Sequence, residues 1–88
     1  MNYYCIEQTD TFGGEANYSY CLRSIIRGKS ALGAIQRYSR LSGMAWHSVG
    51  CGRYDSHSGA TCLFIEDYET SQHNNYRLTF DDREPNAN

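Results

Sequence analysis

The sequence predicts an α+β fold in which an antiparallel sheet of four to five strands packs on one helix. Three observations support this prediction. Segments rich in β-favouring residues flank a glycine pair, one amphipathic helical segment follows, and further β-like segments come after it. The predicted order is ββαββ with a possible fifth strand at the edge. The chain has 88 residues, which suits a single domain. We expect that domain to span residues 1–80 and residues 81–88 to form a disordered acidic tail.

The first two strands form a predicted hairpin. Segments 3–9 and 17–27 carry β-favouring residues, and the intervening "DTFGGE" supplies glycines that tolerate positive φ. A turn centred on Gly13 places Tyr4 opposite Leu22 and Cys5 opposite Cys21. The strands then separate into a helix face, which packs on the helix, and a more polar second face. The helix face carries Tyr4, Ile6, Tyr18, Tyr20 and Leu22, and the second face carries Tyr3, Cys5, Glu7, Thr9, Asn17, Ser19, Cys21 and Arg23.

The segment "GKSALGAIQRYSRLSG" predicts the helix. Ser30 can cap the unpaired amides of the first turn, and Gly43 can follow the last turn. Apolar residues recur at spacings of three and four, which gives one stripe able to lie across the hairpin. That stripe consists of Ala31, Ala34, Ile35, Tyr38 and Leu41.

A second hairpin is predicted after the helix. Segments 44–54 and 61–68 read as its strands, joined by "DSHSG", and Gly50 and Gly52 indicate a bulge or a close backbone approach within the first of them. The alternation of Tyr76, Leu78 and Phe80 predicts a short edge strand. The final "DDREPNAN" contains nothing to bury, so we expect it to be disordered.

The signals for a phosphate or metal site are weak. "RGKS" at 27–30 lacks the glycine that a phosphate-binding loop needs five positions before Gly28, because Arg23 stands there. The four cysteines contain no Cys-x-x-Cys pair. We therefore interpret Cys5 and Cys21 as reduced packing residues, with metal ligation or a cross-strand disulfide as alternatives.

A catalytic group can be drawn but is not favoured. His47, Cys51, Asp55 and His57 lie within one predicted hairpin, although adjacent strand residues point to opposite faces. A domain of this size also offers few walls for a water-excluding cleft. We expect neither an enzyme nor a bound cofactor, and a metal-dependent hydrolase is the weakest hypothesis.

Charge and aromatic content favour a binding protein. The formal net charge is −2, which argues against a general nucleic-acid binder. Residues 1–60 hold six basic and four acidic side chains, whereas residues 61–88 hold two basic and six acidic ones. Eight tyrosines are more than one small core uses, and exposed Tyr beside Arg is typical of protein interfaces. No signal peptide or membrane segment is visible, so we expect a cytoplasmic protein with no membrane partner.

The stretch "TDTFGGEANYSYCLR" resembles a segment of small, mostly uncharacterised phage and prophage proteins that carry a "TFGGEANYSW"-like hairpin. The resemblance covers roughly residues 4–23 and, more loosely, "ALGAIQRYSRLSG"; Tyr20 stands where Trp is common. It implies that the protein comes from a phage or a mobile element. Small proteins of such elements often inhibit bacterial defence, as anti-CRISPR proteins do. It implies no catalytic residue.

Two functional hypotheses follow. The first is a non-enzymatic inhibitor in the host cytosol that binds a defence complex, for example a CRISPR effector, by blocking a surface or imitating DNA. Its predicted partner-binding residues are Tyr3, Glu7 and Arg23 on the second face, or the acidic group Glu66, Asp67 and Glu69. The alternative is a small nucleic-acid-binding or regulatory module. It would use the basic residues Arg23, Arg27, Lys29, Arg37 and Arg40.

Overall fold

A computed structural model describes residues 2–71 and 78–83 of the chain. Within them the fold is α+β, as predicted, but the sheet has seven strands instead of four or five. The elements are β1 (Asn2–Phe12), β2 (Glu15–Ala16), β3 (Leu22–Gly28), α1 (Ala31–Ser42), β4 (Trp46–Gly50), β5 (Arg53–Ser56), β6 (Thr61–Asp67), a 3₁₀ turn (Tyr68–Thr70) and β7 (Phe80–Asp81). The strand order is β4-β5-β6-β1-β3-β7, with β2 paired to β1. All pairs are antiparallel except β3 with β7.

The extra strand after the helix comes from a tight turn at residues 50–52. The predicted bulge or close backbone approach is also present, since the β4–β5 register shifts between Ser48 and Gly50 and a Cβ atom at Gly52 would lie 3.0 Å from the Ile65 carbonyl oxygen. Gly50, Cys51 and Gly52 all have positive φ, at 99°, 53° and 73°. Three consecutive residues in this region reverse the chain, so the single strand predicted over 44–54 divides into β4 and β5. The predicted second hairpin is therefore a three-stranded meander of β4, β5 and β6.

The register of the first hairpin differs from the prediction by four residues. Tyr4 pairs with Ile26 instead of Leu22, and Cys5 pairs with Ile25 instead of Cys21. Gly13 and Gly14 do form the turn, since Phe12 pairs directly with Glu15. The difference arises because residues 17–21 leave the ladder as a loop between β2 and β3. Because the shift is even, the residues of β1 keep their predicted faces.

Asp10 holds this loop in place. Its carboxylate accepts hydrogen bonds from the Asn17 amide group, at 3.0 Å, and from the Ser19 backbone N–H and hydroxyl. These hydrogen bonds, with those from Ser19 first, lower the pKa of Asp10 to about 2. The loop conformation thus depends on one carboxylate that stays ionised except in strong acid.

Helix α1 forms as predicted and covers one face of the sheet. The Ser30 hydroxyl accepts the Gly33 N–H at 3.1 Å, and Gly43 ends the helix with φ 73°. Ala34, Ile35 and Tyr38 are buried, whereas Ala31 and Leu41 at the ends of the predicted stripe are exposed. The core contains Tyr4, Ile6, Ile26, Ala34, Ile35, Tyr38 and Leu63, with Trp46, Tyr54, Ile65 and Phe80 packed against it.

The end of β3 and the start of α1 are in close contact at Gly28. A Cβ atom at this position would lie 2.6 Å from the backbone nitrogen of Ala34. Real Cβ atoms essentially never come that close, and both neighbours are backbone, so only glycine fits here without movement. This contact fixes how the basic residues around the start of α1 are arranged.

The carboxyl-terminal segment adds an edge strand and a buried ion pair. Phe80 pairs with Ser24 and Asp81 with Ile25, parallel to β3, so the predicted edge strand is present at Phe80 while Tyr76 lies outside the described residues. The prediction of a disordered tail from residue 81 onward therefore starts too early, because Asp81 and Asp82 belong to the folded part. The Asp82 side chain is only 1% exposed and binds Arg37. Residues 84–88 lie outside the described part of the chain.

Candidate binding surfaces

The second face of the sheet is largely closed. Glu7 is 7% exposed, and its carboxylate accepts a hydrogen bond from Arg23 Nε at 3.1 Å. Glu7 and Arg23 therefore form an ion pair on this face, and their predicted role as partner-binding residues stays a prediction. Of the three residues predicted on this face, Tyr3 is the most exposed, at 39%.

The loop at residues 17–21 provides part of the cover. The Tyr18 ring stacks on Phe64 with centroids 6.4 Å apart and planes 11° from parallel, and the Thr9 hydroxyl donates to the Tyr20 carbonyl at 2.6 Å. Tyr18 was predicted on the helix face, and the loop carries it to the opposite side. The alternation of β1 could not show this, because residues 17–21 do not belong to the ladder.

Of the four thiols, those of Cys5 and Cys62 are buried, that of Cys21 is half-buried and that of Cys51 is exposed. Cys5, Cys21, Cys51 and Cys62 are all free. Burial raises the pKa of Cys5, of Cys62 and of Cys21, the last to about 11. Among residues 2–71 and 78–83 no group of three or more His, Cys, Asp or Glu side chains is arranged to hold a metal ion. The rings of His47 and His57 lie 5.6 Å apart without such a third ligand.

An acidic surface lies at one end of the sheet, which we define by Tyr3, Glu66, Asp67 and Glu69. The three carboxylates are exposed, and none forms an ion pair with a cation of the described ranges. A concavity of about 340 Å³ is lined by Asn2, Tyr3, Asp67, Tyr68, Glu69 and Thr70, whereas Glu66 lines a neighbouring concavity with Cys5, Glu7 and Phe64. The structure thus brings Tyr3 together with Asp67 and Glu69, which sequence analysis treated as part of a separate alternative, and leaves Glu66 beside them at the end of β6.

Arg83, which contacts Tyr68 beside this surface, is already engaged. Arg83 binds Asp81 with Nη2 to Oδ2 at 2.7 Å, and its guanidinium carbon lies 4.4 Å from the centre of the Tyr68 ring. The hydrogen bonds to Asp81 raise the pKa of Arg83. Arg83 therefore neutralises Asp81 and leaves the exposed carboxylates of the acidic surface unpaired.

A basic groove lies at the start of α1, which we define by Arg27, Lys29, Arg37 and Arg40. Its volume is about 420 Å³, and Gly28, Ser30, Leu32, Gly33 and Gln36 complete its lining. No acidic residue of the described ranges lines it. Arg23, the fifth cation of the predicted nucleic-acid module, is paired with Glu7 and does not line the groove.

Asp82 fixes the position of Arg37 in this groove. Arg37 donates from Nε and Nη2 to the two carboxylate oxygens of Asp82, at 2.8 and 2.7 Å, and the Arg27 backbone N–H donates to Oδ2 at 2.8 Å. Burial pushes the pKa of Asp82 up, but these hydrogen bonds outweigh it and leave the pKa lowered. Sequence analysis missed this contact, because 45 residues separate its two side chains.

The two charged surfaces meet at the same end of the sheet. Tyr3 pairs with Arg27 on one side of β1, and Tyr4 pairs with Asp67 on the other. Neighbouring strands lie about 4.8 Å apart. The first residues of β1 therefore lie between the strand that carries Arg27 and the strand that carries Asp67. The basic groove and the acidic surface are one strand apart.

Comparisons with known proteins add no assignment. No protein-family model matches this chain, and no curated protein or solved structure with significant similarity was found. Within the described part of the chain, no helix is both long enough and apolar enough to cross a membrane.

Proposed function

We propose that this protein is a non-enzymatic inhibitor that binds a bacterial defence complex through its acidic surface. The observation that carries the proposal is the exposed group of Glu66, Asp67 and Glu69 beside Tyr3, unpaired with any cation of the described ranges. Such a group attracts a basic partner surface and steers its approach. The resemblance of residues 4–23 to phage proteins supports the defence context and a cytoplasmic site of action.

The shape of the surface supports surface blocking. Apart from Tyr3 and Tyr68, the concavity beside the acidic surface is lined by polar and acidic residues, whereas small-molecule sites are enclosed and mostly apolar. Tyr3 offers a ring whose hydroxyl can remain hydrated, and tyrosine is enriched among residues that dominate binding energy. Carboxylates around such a ring suit a partner surface rich in Lys and Arg, including one that normally holds nucleic acid.

The test measures protection of a phage in bacteria that carry a defined CRISPR system, together with capture of the purified effector by the immobilised protein. We expect the unaltered chain to restore plaque formation. The variant E66Q/D67N/E69Q should weaken capture at least about tenfold, because each carboxylate that meets a basic hot spot contributes about 1 kcal/mol or more.

A charge-matched control separates the surface from net charge. Glu15 is an exposed acid in β2, near the hairpin turn and outside the acidic surface. E15Q and E69Q remove the same charge, and only E69Q should weaken capture. Equal capture by the triple variant and the unaltered chain would exclude the acidic surface, and no protection against any defence system would exclude inhibition.

A further inference from the structure

We propose that the basic groove binds the phosphate backbone of a nucleic acid. Four cationic side chains line one concavity, and no carboxylate among residues 2–71 and 78–83 lines it. Arg27, Lys29 and Arg40 are exposed, whereas Arg37 is held in position by Asp82. This concentration of positive charge occurs in a chain whose formal net charge is −2, so it is a local property of the fold.

The lining of the groove selects phosphates over bases. Arg and Lys contact phosphate oxygens, whereas bases are bound by stacking on aromatic rings. Within the part of the chain that the structure describes, no aromatic residue lines the groove, and its largest apolar side chain is Leu32. We therefore expect binding that follows charge density along a backbone and shows little dependence on base sequence.

Asp82 prepares the groove for such a ligand. It takes two donors of Arg37 and the backbone N–H of Arg27, and its side chain is almost completely buried. One terminal nitrogen of Arg37, Nη1, makes no hydrogen bond to Asp82. The ion pair therefore orients the arginine and leaves Nη1 as a donor that Asp82 does not use, while the net positive charge of the groove comes from the three exposed cations.

The position of the groove extends the proposed function. One strand separates the end of the basic groove from the acidic surface. If the proposed function holds, on which this step rests, the partner is a nucleoprotein at a place where basic protein and nucleic acid adjoin. The acidic surface would contact the protein and the groove would contact the phosphates.

Fluorescence anisotropy of the full chain with labelled oligonucleotides tests the groove directly. The probes are a short oligothymidine and a duplex of mixed sequence, titrated at low salt and then at increasing salt. We expect saturable binding of at least one probe. The logarithm of the association constant should fall with the logarithm of salt concentration with a slope of about −2 to −3 for three contacted phosphates.

Variants separate the groove from net charge. R27A/K29A should weaken binding about tenfold or more, since it removes two exposed cations and leaves the Arg37 contact with Asp82 intact. R27A/K29A/E66Q/E69Q restores the formal net charge to −2 and should bind as weakly as the double variant. R40K should retain binding, because a phosphate accepts either cation as a point charge.

Three outcomes would overturn the inference: no binding of either oligonucleotide at low salt, recovery of binding in the quadruple variant, or saturable binding of pyrophosphate without binding of oligonucleotide. The last would assign the groove to a small phosphorylated molecule. None of them bears on capture of the effector through Glu66, Asp67 and Glu69, so failure here is distinguishable from failure of the proposed function.

Discussion

The two faces of the central sheet are closed in different ways. The helix face is covered by α1, whose apolar residues pack on Tyr4, Ile6 and Ile26. The second face carries the Glu7 and Arg23 ion pair and three cysteines, and a loop anchored by Asp10 folds over part of it. Apolar packing closes the first face and a few specific polar contacts help close the second. Substitutions that touch one face at a time should show this difference.

The largest expected effect compares two adjacent isoleucines of β3. Ile25 and Ile26 are both fully buried, and they point to opposite faces. Ile26→Ala should cost about 3–5 kcal/mol of unfolding free energy, because its neighbours on the helix face are packed rigidly around the lost volume. Ile25→Ala should cost less, about 2–3 kcal/mol, because loop and polar neighbours can move into the space. Urea unfolding of the two variants measures both, and an equal or greater cost for Ile25 would show that the second face is packed as tightly.

The next effect concerns the buried ion pair of the second face. Glu7→Gln should lower the unfolding free energy by about 1–3 kcal/mol, since Arg23 loses its charged partner while still partly enclosed. Glu66→Gln is the matched control, because Glu66 lies on the same face, is exposed and makes no ion pair within the described residues. The control should change stability by no more than about 0.5 kcal/mol. Similar values for both variants would contradict the structural role of Glu7.

The free energy of unfolding at alkaline pH should depend on titrating groups on both faces of the sheet. The pKa of Cys21 on the second face is raised by burial from 9.0 to about 11, and that of Tyr38 on the helix face is raised by burial from 10.0 to about 12. Because the protonated forms are favoured in the folded state, their contribution is complete below the ordinary pKa and is lost as pH rises through the folded value. Stability should fall first between about pH 9 and 11 and further between about pH 10 and 12.

Single substitutions assign the two steps of that titration. Cys21→Ala should reduce the earlier loss, to which the raised pKa values of Cys5 and Cys62 also contribute, and Tyr38→Phe should reduce the later one, whatever their effect at neutral pH. Urea unfolding under reducing conditions across this pH range provides the measurement. A pH profile unchanged in both variants would show that neither group controls alkaline stability.

The smallest effect concerns Tyr18 and Cys51, the two residues other than glycine with positive φ in the described ranges. Cys51→Gly should be neutral or stabilise the protein by up to about 1 kcal/mol, because relief of the backbone strain is offset by the entropy of glycine. Tyr18→Gly should instead destabilise it by about 1 kcal/mol, because the ring stacked on Phe64 is lost. Thermal unfolding distinguishes these signs, and stabilisation by Tyr18→Gly would show that its ring contributes little to the second face.

The charged residues singled out from the sequence also fall into two groups: those whose exposure the sequence could predict, and those whose contacts depend on the fold. Exposure of Glu66, Asp67 and Glu69 follows from their polarity and from the end of β6, so sequence analysis could find them. The pairing of Glu7 with Arg23 depends on a loop that shifts the register by four residues, and hydrophobic alternation is unchanged by an even shift. Asp82 was predicted in a disordered tail because no local pattern near it predicts a contact with Arg37.

The sequence by itself determined the class of fold, the helix with both of its caps, and the side of the sheet on which each residue of β1 lies. These follow from local periodicity and from residues that favour one backbone conformation, such as Ser30 and Gly43. Only the tertiary structure decided the strand count, the register, and which charges are used internally. Those depend on contacts between distant residues, where a loop, a turn of three residues with positive φ, and a parallel edge strand compete with simpler pairings.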